Sequence, residues 1–338
     1  MKKSWFYTLF TMATFSATTV CTAAPMLYPI VVNNRWGFVN KSGANVINPQ
    51  FDRAEVFAGE LAPVKMGRWG YVDGSGKVAI NPQFDRADEF SEGLAAVRLG
   101  GGGPAPFDPR PFSPFGGGGR YGYINSEGKY IINPQFDDAG PFVGGLAPVK
   151  MGHWGFIDKT GKVVINPQFD EAGAFSEGLA VIKSGGHFGY TDTSGKLAIN
   201  PQFERALPFS EGLAAVRSDG KWGFVDKTGK FTINPQFDDA GSFVKGLAPA
   251  RLKRWGYIDT TGKFSINPQF DDAAVFSEGL APVRESGRWG YVNRGGKIEI
   301  NSQFEEAACF TNGLARVKAS GRFGYIDATG KYVYNPTK

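Results

Sequence analysis

Two histidines, a cysteine late in the chain and scattered carboxylates are the side chains of this 338-residue protein from which catalysis or metal binding could be built. His153 and His187 could act as general bases or metal ligands. Cys309 could act as a nucleophile, and Asp73-Gly74-Ser75-Gly76 offers a carboxylate-glycine turn of the sort a calcium loop uses. Position answers each in turn. Both histidines stand just before an aromatic residue, in a slot held elsewhere by Arg35, Arg68, Arg120, Lys221, Arg254, Arg288 and Arg322, so they read as members of a cationic column. Cys309 occupies a tolerant position that is Val56, Pro141, Ala174, Pro208 or Ser242 in other copies. Acidic residues form a further column, Asp52, Asp85, Asp137, Asp170, Glu204, Asp238, Asp271 and Glu305, expected to cap a linker turn or pair with the cations. Too few carboxylates converge at Asp73 for calcium. No Ser/His/Asp set or carboxylate pair breaks the pattern, so the chain reads as a non-enzyme with no catalytic, cofactor-binding or metal-ligating residue.

The pattern is set by an aromatic residue followed by glycine. The aromatics are Trp36, Trp69, Tyr121, Trp154, Phe188, Trp222, Trp255, Trp289 and Phe323, spaced by 33, 52, 33, 34, 34, 33, 34 and 34. A fixed period of this length marks a repeat protein, in which one unit cannot bury its apolar face alone. Twelve residues after each aromatic comes an asparagine, from Asn48 to Asn335. Within a unit the alternation has period two: Val78 and Ile80 share a face, as do Trp69 and Tyr71. That is the signature of half-buried strands. Turns such as Asp158-Lys159-Thr160-Gly161-Lys162 join them. A third strand, as in Leu146-Ala147-Pro148-Val149-Lys150, precedes the aromatic and often carries proline, which predicts a sheet edge. Linkers follow, with Phe51, Ala54 and Phe57 three apart, a spacing that suits a helical or 3₁₀ turn. Glycine beside the aromatic weakens a strand by roughly 0.5–1 kcal/mol, so close approach of a neighbouring aromatic over the bare backbone is the expected reason for it.

The aromatic-glycine pair, the Asp-x-x-Gly-Lys turn, the Ile-Asn-Pro-Gln-Phe segment and the Phe-Ser-Glu-Gly-Leu-Ala segment recur in fixed order over residues 27 to 336. Together they resemble the WG-repeat (KWG-type) family of bacterial β-repeat proteins. Departures are small: Ser302 replaces the proline, Glu60 stands where Gly93 sits, and Gly144 and Lys245 replace the usual glutamate. The resemblance implies a binding or scaffold role, with no shared catalytic activity.

The expected architecture is all-β: a repeat array of nine three-stranded antiparallel meanders starting near 27, 61, 94, 146, 179, 213, 247, 280 and 314. An open superhelical solenoid is favoured because nine meanders are intact, whereas a closed propeller-like ring, the alternative, often splices its two termini into one blade.

Two stretches stand apart. Lys2 and Lys3, the weakly apolar run from Trp5 to Val20 and the small residues before Pro25 are laid out as a signal peptide over 1–23, with the array occupying 24–338. Export to the periplasm or medium follows, with a lipid anchor on Cys21 as the alternative. The run is too short and threonine-rich for a membrane span, which needs about 20 apolar residues, so no transmembrane segment is expected in the mature chain. Loss of the leader leaves a charge of 35 minus 32, or +3, too balanced for a dedicated nucleic-acid binder. The second stretch is a Gly/Pro-rich insertion over 100–119 within the third meander, where Phe107, Arg110, Phe112 and Phe115 could form a recognition loop. It resembles a phosphate loop superficially, but no Lys-Ser or Lys-Thr follows.

The function expected is thus a non-enzymatic exported scaffold that binds an unknown protein or envelope component. A carbohydrate or cell-wall binding module is the alternative, suggested by export and an aromatic content of 14%.

Overall fold

A computed structural model describes residues 26–100 and 119–335. The proposed leader and the recognition-loop residues Phe107, Arg110, Phe112 and Phe115 lie outside them.

Among the described residues the chain forms nine antiparallel sheets, taken one after another. Blade 1 has three strands, Tyr28–Val32, Arg35–Val39 and Asn45–Phe51. Each later blade has four, as in blade 2: Arg53–Ala54, Leu61–Met66, Arg68–Asp73 and Val78–Phe84. The first of these is the linker. It is extended because Asp52 N donates to Lys65 O (2.8 Å) and Glu55 N to Pro63 O (3.0 Å). A bend at Asp52 resets the alternation, so a spacing of three leaves both Phe51 and Ala54 buried without any helical turn. The meander is therefore four-stranded in blades 2 to 9, and the proline strand lies inside the sheet instead of at its edge. Proline is tolerated because the linker asks only for its carbonyl. The two-residue strand pairs with Val64 and Lys65, beyond it.

The strand ending in Gln-Phe bulges over the aromatic-glycine strand. Trp69 is opposite Phe84 and Tyr71 opposite Ile80, so four residue steps on one strand match two on the other. The excess Asn-Pro segment is folded onto Gly70, where a Cβ would lie 2.5 Å from Ile80 O and 2.8 Å from Pro82 N. Eight of the aromatic-glycine pairs, from Gly37 to Gly290, show the same crowding, with Ser302 N in place of a proline at Gly290. Backbone, and not the aromatic ring expected from sequence, is what excludes a side chain here. It also explains the fixed step of twelve from aromatic to asparagine, since glycine and asparagine sit in one contact.

Blades pack face to face through these residues. Between blades 2 and 3, Leu61, Tyr71, Ile80 and Phe84 meet Ala87, Ala95, Val97 and Ile124 in one buried cluster. Each such phenylalanine or leucine contributes about 1.5–3 kcal/mol of burial. The tyrosine two residues after each aromatic, where present, adds a hydroxyl bond to the next linker, as in Tyr71 Oη to Asp88 O (2.8 Å) and Tyr257 Oη to Ala274 O (2.7 Å). Its ring stacks on the linker's second phenylalanine, Tyr71 on Phe90 at 5.0 Å and Tyr291 on Phe310 at 4.9 Å.

The array closes on itself. Tyr28, Ile30 and Val39 of blade 1 share a buried cluster with Leu314 and Tyr325 of blade 9. Tyr28 stands where the other copies have Ala62, Ala95, Ala147, Ala180, Ala214, Ala248, Ala281 and Ala315. Its ring lies 5.4 Å from that of Tyr325, the place a linker phenylalanine takes at the other seams, and its hydroxyl donates to Asn312 O (2.9 Å). Tyr325 Oη donates in turn to Pro29 O (2.8 Å), the carbonyl that elsewhere receives a linker amide. The fold is thus a nine-bladed β-propeller, and the open solenoid expected from sequence is incorrect. Intact meanders at both ends argue against a ring only where closure requires strand exchange. A tyrosine pair closes this one instead.

Gly223 and Gly173 separate the crowding from ordinary glycine effects. A Cβ at Gly223 would meet Ile233 O at 2.6 Å, whereas one at Gly173 finds only Val181 O at 3.8 Å. Gly223→Ala is expected to destabilise by about 1–3 kcal/mol, the cost of overpacking, and Gly173→Ala by well under half of that, both measured by urea unfolding.

Candidate functional site

The repeat columns resolve first into architecture. Arg35 pairs with Asp52 at 2.5 Å, and Asp52 Oδ2 accepts Gly67 N of blade 2 at 2.7 Å. Arg68 donates to Gln83 O in the bulge (3.0 Å) and lies 3.8 Å from Asp85. Lys221–Asp238 (2.6 Å) and Arg254–Asp271 (3.4 Å) continue the series, and Arg120 pairs with Asp137. Each acid so placed joins the cation of one blade to the linker of the next. In the Asp-x-x-Gly-Lys turns, Asp73 Oδ1 accepts Ser75 Oγ (2.6 Å), Ser75 N (2.9 Å) and Lys77 N (3.1 Å). The Ser75 hydroxyl bond holds this carboxyl below the usual carboxylate range.

The nine aromatics are spent on packing. Tyr121, Trp154, Trp222, Trp255 and Trp289 are buried, while Trp36, Trp69, Phe188 and Phe323 are half-buried. Guanidinium groups cover some faces, Arg251 over Trp255 at 5.7 Å and Arg316 over Phe323 at 4.7 Å. Cys309 is buried and donates to Val275 O at 3.3 Å, and burial pushes its thiol up.

The Phe-Ser-Glu-Gly segment is a clamp between neighbours. Glu92 of blade 3 accepts the amides of Gly144 (2.7 Å) and Gly145 (3.0 Å) in blade 4, and Ser91 Oγ donates to Phe142 O (2.6 Å). Glu177, Glu211 and Glu278 hold the segments of blades 6, 7 and 9 in the same way.

What departs from the repeat is the charge on the short first strands. Their leading residues are Arg53, Arg86, Asp138, Glu171, Arg205, Asp239, Asp272 and Glu306, each opposite a cation on the proline strand. Acids there make pairs such as Glu171–Lys183 (2.9 Å) and Glu306–Lys318 (2.8 Å). In blades 2, 3 and 6 arginine faces Lys65, Arg98 and Arg217 instead, like charge against like. Blades 2 and 3 compensate with carboxylates just after the short strand: Glu55 and Asp88, where other linkers have glycine, alanine or leucine, and Glu89, where they have valine, proline, alanine, serine or cysteine. Arg86 binds Asp88 at 3.0 Å. Burial, with Glu55 and Asp88 adding negative charge, pushes the Glu89 carboxyl up to about 7. Asp138 of blade 4 rises to about 6, again chiefly by burial, with Arg86 opposing. The cluster borders the insertion, because Arg86 pairs with Arg98 and the next residue, Leu99, is opposite Arg120 across the segment's root. Sequence reading misses these residues: arginine in a mostly acidic column is visible only once the linker is recognised as a short strand.

A nine-bladed propeller whose blades share one motif defines the class, a repeat-built scaffold. Residues 36–68, 69–102, 121–152, 154–186, 188–222, 222–253, 255–289 and 289–322 each match the WG containing repeat, and the chain belongs to that family. No curated protein matches it. Among solved structures it is similar to the crystal structure of the eukaryotic initiation factor, at 10% identity over 92% of this chain and 95% of the other, with a TM-score of 0.63. Hsv2p of Kluyveromyces lactis resembles it more distantly, at 8% identity over 72% of this chain and 93% of the other, with a TM-score of 0.41. At 10% identity the first of these likenesses concerns the fold alone.

Glu89 gives a pH test with a definite sign. Its carboxyl titrates near 4.5 when unfolded and near 7 when folded, so the folded state keeps a proton the unfolded state has lost, and stability falls as pH rises between these values. Glu89→Gln is expected to raise the melting temperature at pH 8 and leave it nearly unchanged at pH 4.5, measured by calorimetry.

Proposed function

We propose that the protein is a non-enzymatic, exported propeller scaffold that binds a protein or cell-envelope partner through blades 2 to 4. The observation carrying this reading is the break in the charge columns there. In blades 4, 5, 7, 8 and 9 the short strand opens on an acid opposite a cation, whereas Arg53, Glu55, Arg86, Asp88 and Glu89 form a mixed polar group that no other seam repeats. Repeat arrays diversify such positions without disturbing their cores. Leu99 and Arg120, which flank the 100–119 insertion, lie beside this group, so the insertion is tested with it.

Export rests on the leader-like layout of residues 1–23. No helix among the described residues is long and apolar enough to cross a membrane. A carbohydrate-binding role has less support, since five of the nine repeat aromatics are buried and two of their faces carry arginine.

The test is a pull-down from the envelope and secreted fractions of the source cell with three baits: the full chain, a chain lacking 101–118, and an Arg53→Glu/Arg86→Glu chain. Both altered baits are expected to lose the same partner, and a control Arg254→Glu bait to retain it. Equal recovery by all four baits would place the binding surface elsewhere.

A further inference from the structure

The clamps between blades differ in one respect that points to a ligand. At the seam of blades 3 and 4, the ammonium of Lys159 donates to Glu92 O (3.0 Å) and pairs with Glu92 Oε2 (3.1 Å). At the seam of blades 5 and 6, Lys227 repeats both contacts on Glu177, at 2.9 and 3.2 Å. Each lysine is the second residue of the Asp-x-x-Gly-Lys turn of the following blade. The protein thus shows twice what the clamp glutamate's carbonyl and carboxylate hold in common: a primary ammonium.

Blade 8 presents the same receptor without the lysine. Glu278 is clamped as Glu92 is, its oxygens accepting Asn312 N (2.6 Å) and Gly313 N (2.8 Å), so its carboxylate is held by the next blade's segment in the same way. The turn residue that follows is Ala328. An open cleft of about 550 Å³ lies there, lined by Glu278, Leu280, Asn293, Glu299, Ala328 and Thr329 among others. Glu299 is a second carboxylate at a position that is Val46, Ala79, Ile131, Val164, Ala198, Thr232, Ser265 or Val333 in other blades. Asn293 Nδ2 donates to it at 2.6 Å, and the exposed Lys297 lies 3.6 Å away. Among the described residues Glu278 has no basic partner. Lys41, whose ammonium lies against Gly313 on the blade 1 side, is not paired with it.

We infer that the cleft between blades 8 and 9 binds an alkylammonium group from outside the chain, seated on Glu278 as Lys159 is seated on Glu92 and drawn in by Glu299. A lysine side chain of a partner protein and a free polyamine share that chemistry. The site stands apart from blades 2 to 4, and its success or failure leaves the surface proposed there untouched.

The seam of blades 6 and 7 supplies a charge-matched control. Glu211 is clamped there too, but Thr260 fills the turn position and Thr232 stands where blade 8 has Glu299. The full chain is titrated by calorimetry with an acetylated pentalysine amide, with its fully Nε-acetylated counterpart and with spermidine. Ala328→Lys, which supplies the ammonium internally, is expected to weaken binding about tenfold, the loss of one charge-assisted contact. Thr260→Lys, adding the same charge, should leave affinity unchanged. Glu299→Gln, which removes only the second carboxylate, should weaken it by a smaller factor and serves if Ala328→Lys fails to fold. Tighter binding of the peptide than of spermidine assigns a protein lysine, and the reverse assigns a polyamine. Equal binding by Ala328→Lys and Thr260→Lys, undiminished binding of the acetylated peptide, or no binding at all overturns the inference.

Discussion

The contact on which the structure depends is between a bare glycine backbone and the Asn-Pro bulge of the strand beside it. At Gly155 a Cβ would fall 2.5 Å from Ile165 O and 2.8 Å from Pro167 N, closer than any side chain can be accommodated without moving backbone. The bulge absorbs two residues, so the last strand leaves each sheet at a fixed offset and bend. The linker is thereby delivered to the proline strand of the next blade, where its amides find carbonyls waiting. A change of that offset by one residue would reverse which linker side chains are buried. The same geometry repeated at every unit turns the chain by a constant step, which is what a ring requires.

Once the step is fixed, the seams do the rest. Each is a dry contact of aromatic and aliphatic side chains, bordered in six cases by a tyrosine hydroxyl and in four by a clamp glutamate. A single blade has neither enough core nor enough partners to stand alone, as repeat architectures generally show. The exposed ion pairs at the rim contribute little individually, typically about 0–1 kcal/mol. Their placement is more telling than their strength, since it marks which blades depart from the repeat. By that measure blades 2, 3 and 8 are the unusual ones, the first two in their linkers and the third in its outer strand and the turn that follows.

Much of this was legible in the chain itself. The period, the three long strands of each unit, the cationic column and the packing role of the aromatics all follow from spacing and alternation. The fourth strand was not, because two residues have no periodicity, and a bend at Asp52 gives Phe51, Ala54 and Phe57 a spacing that imitates a helical turn. The reason for glycine was half legible: close approach was foreseeable, but the approaching group is backbone, which carries no letter of its own. Ring closure was hidden most deeply. It rests on Tyr28, which in sequence is one more apolar residue at the head of a strand and becomes informative only beside eight alanines. The charge cluster around Glu89 was hidden for a related reason, since the linker column that makes Arg86 anomalous exists only once the linker is read as a strand.

The claim most directly open to measurement is that the ninth blade meets the first. Lys41 and Ala328 occupy equivalent exposed positions in the turns of blades 1 and 9. Spin labels on Lys41→Cys and Ala328→Cys, in a Cys309→Ser background, report their separation by pulsed electron resonance. A closed ring places them roughly 10–25 Å apart, one to two sheet spacings. Eight open spacings of about 10 Å would instead separate them by on the order of 80 Å, and a distance distribution centred there, with no short component, would contradict the closed propeller.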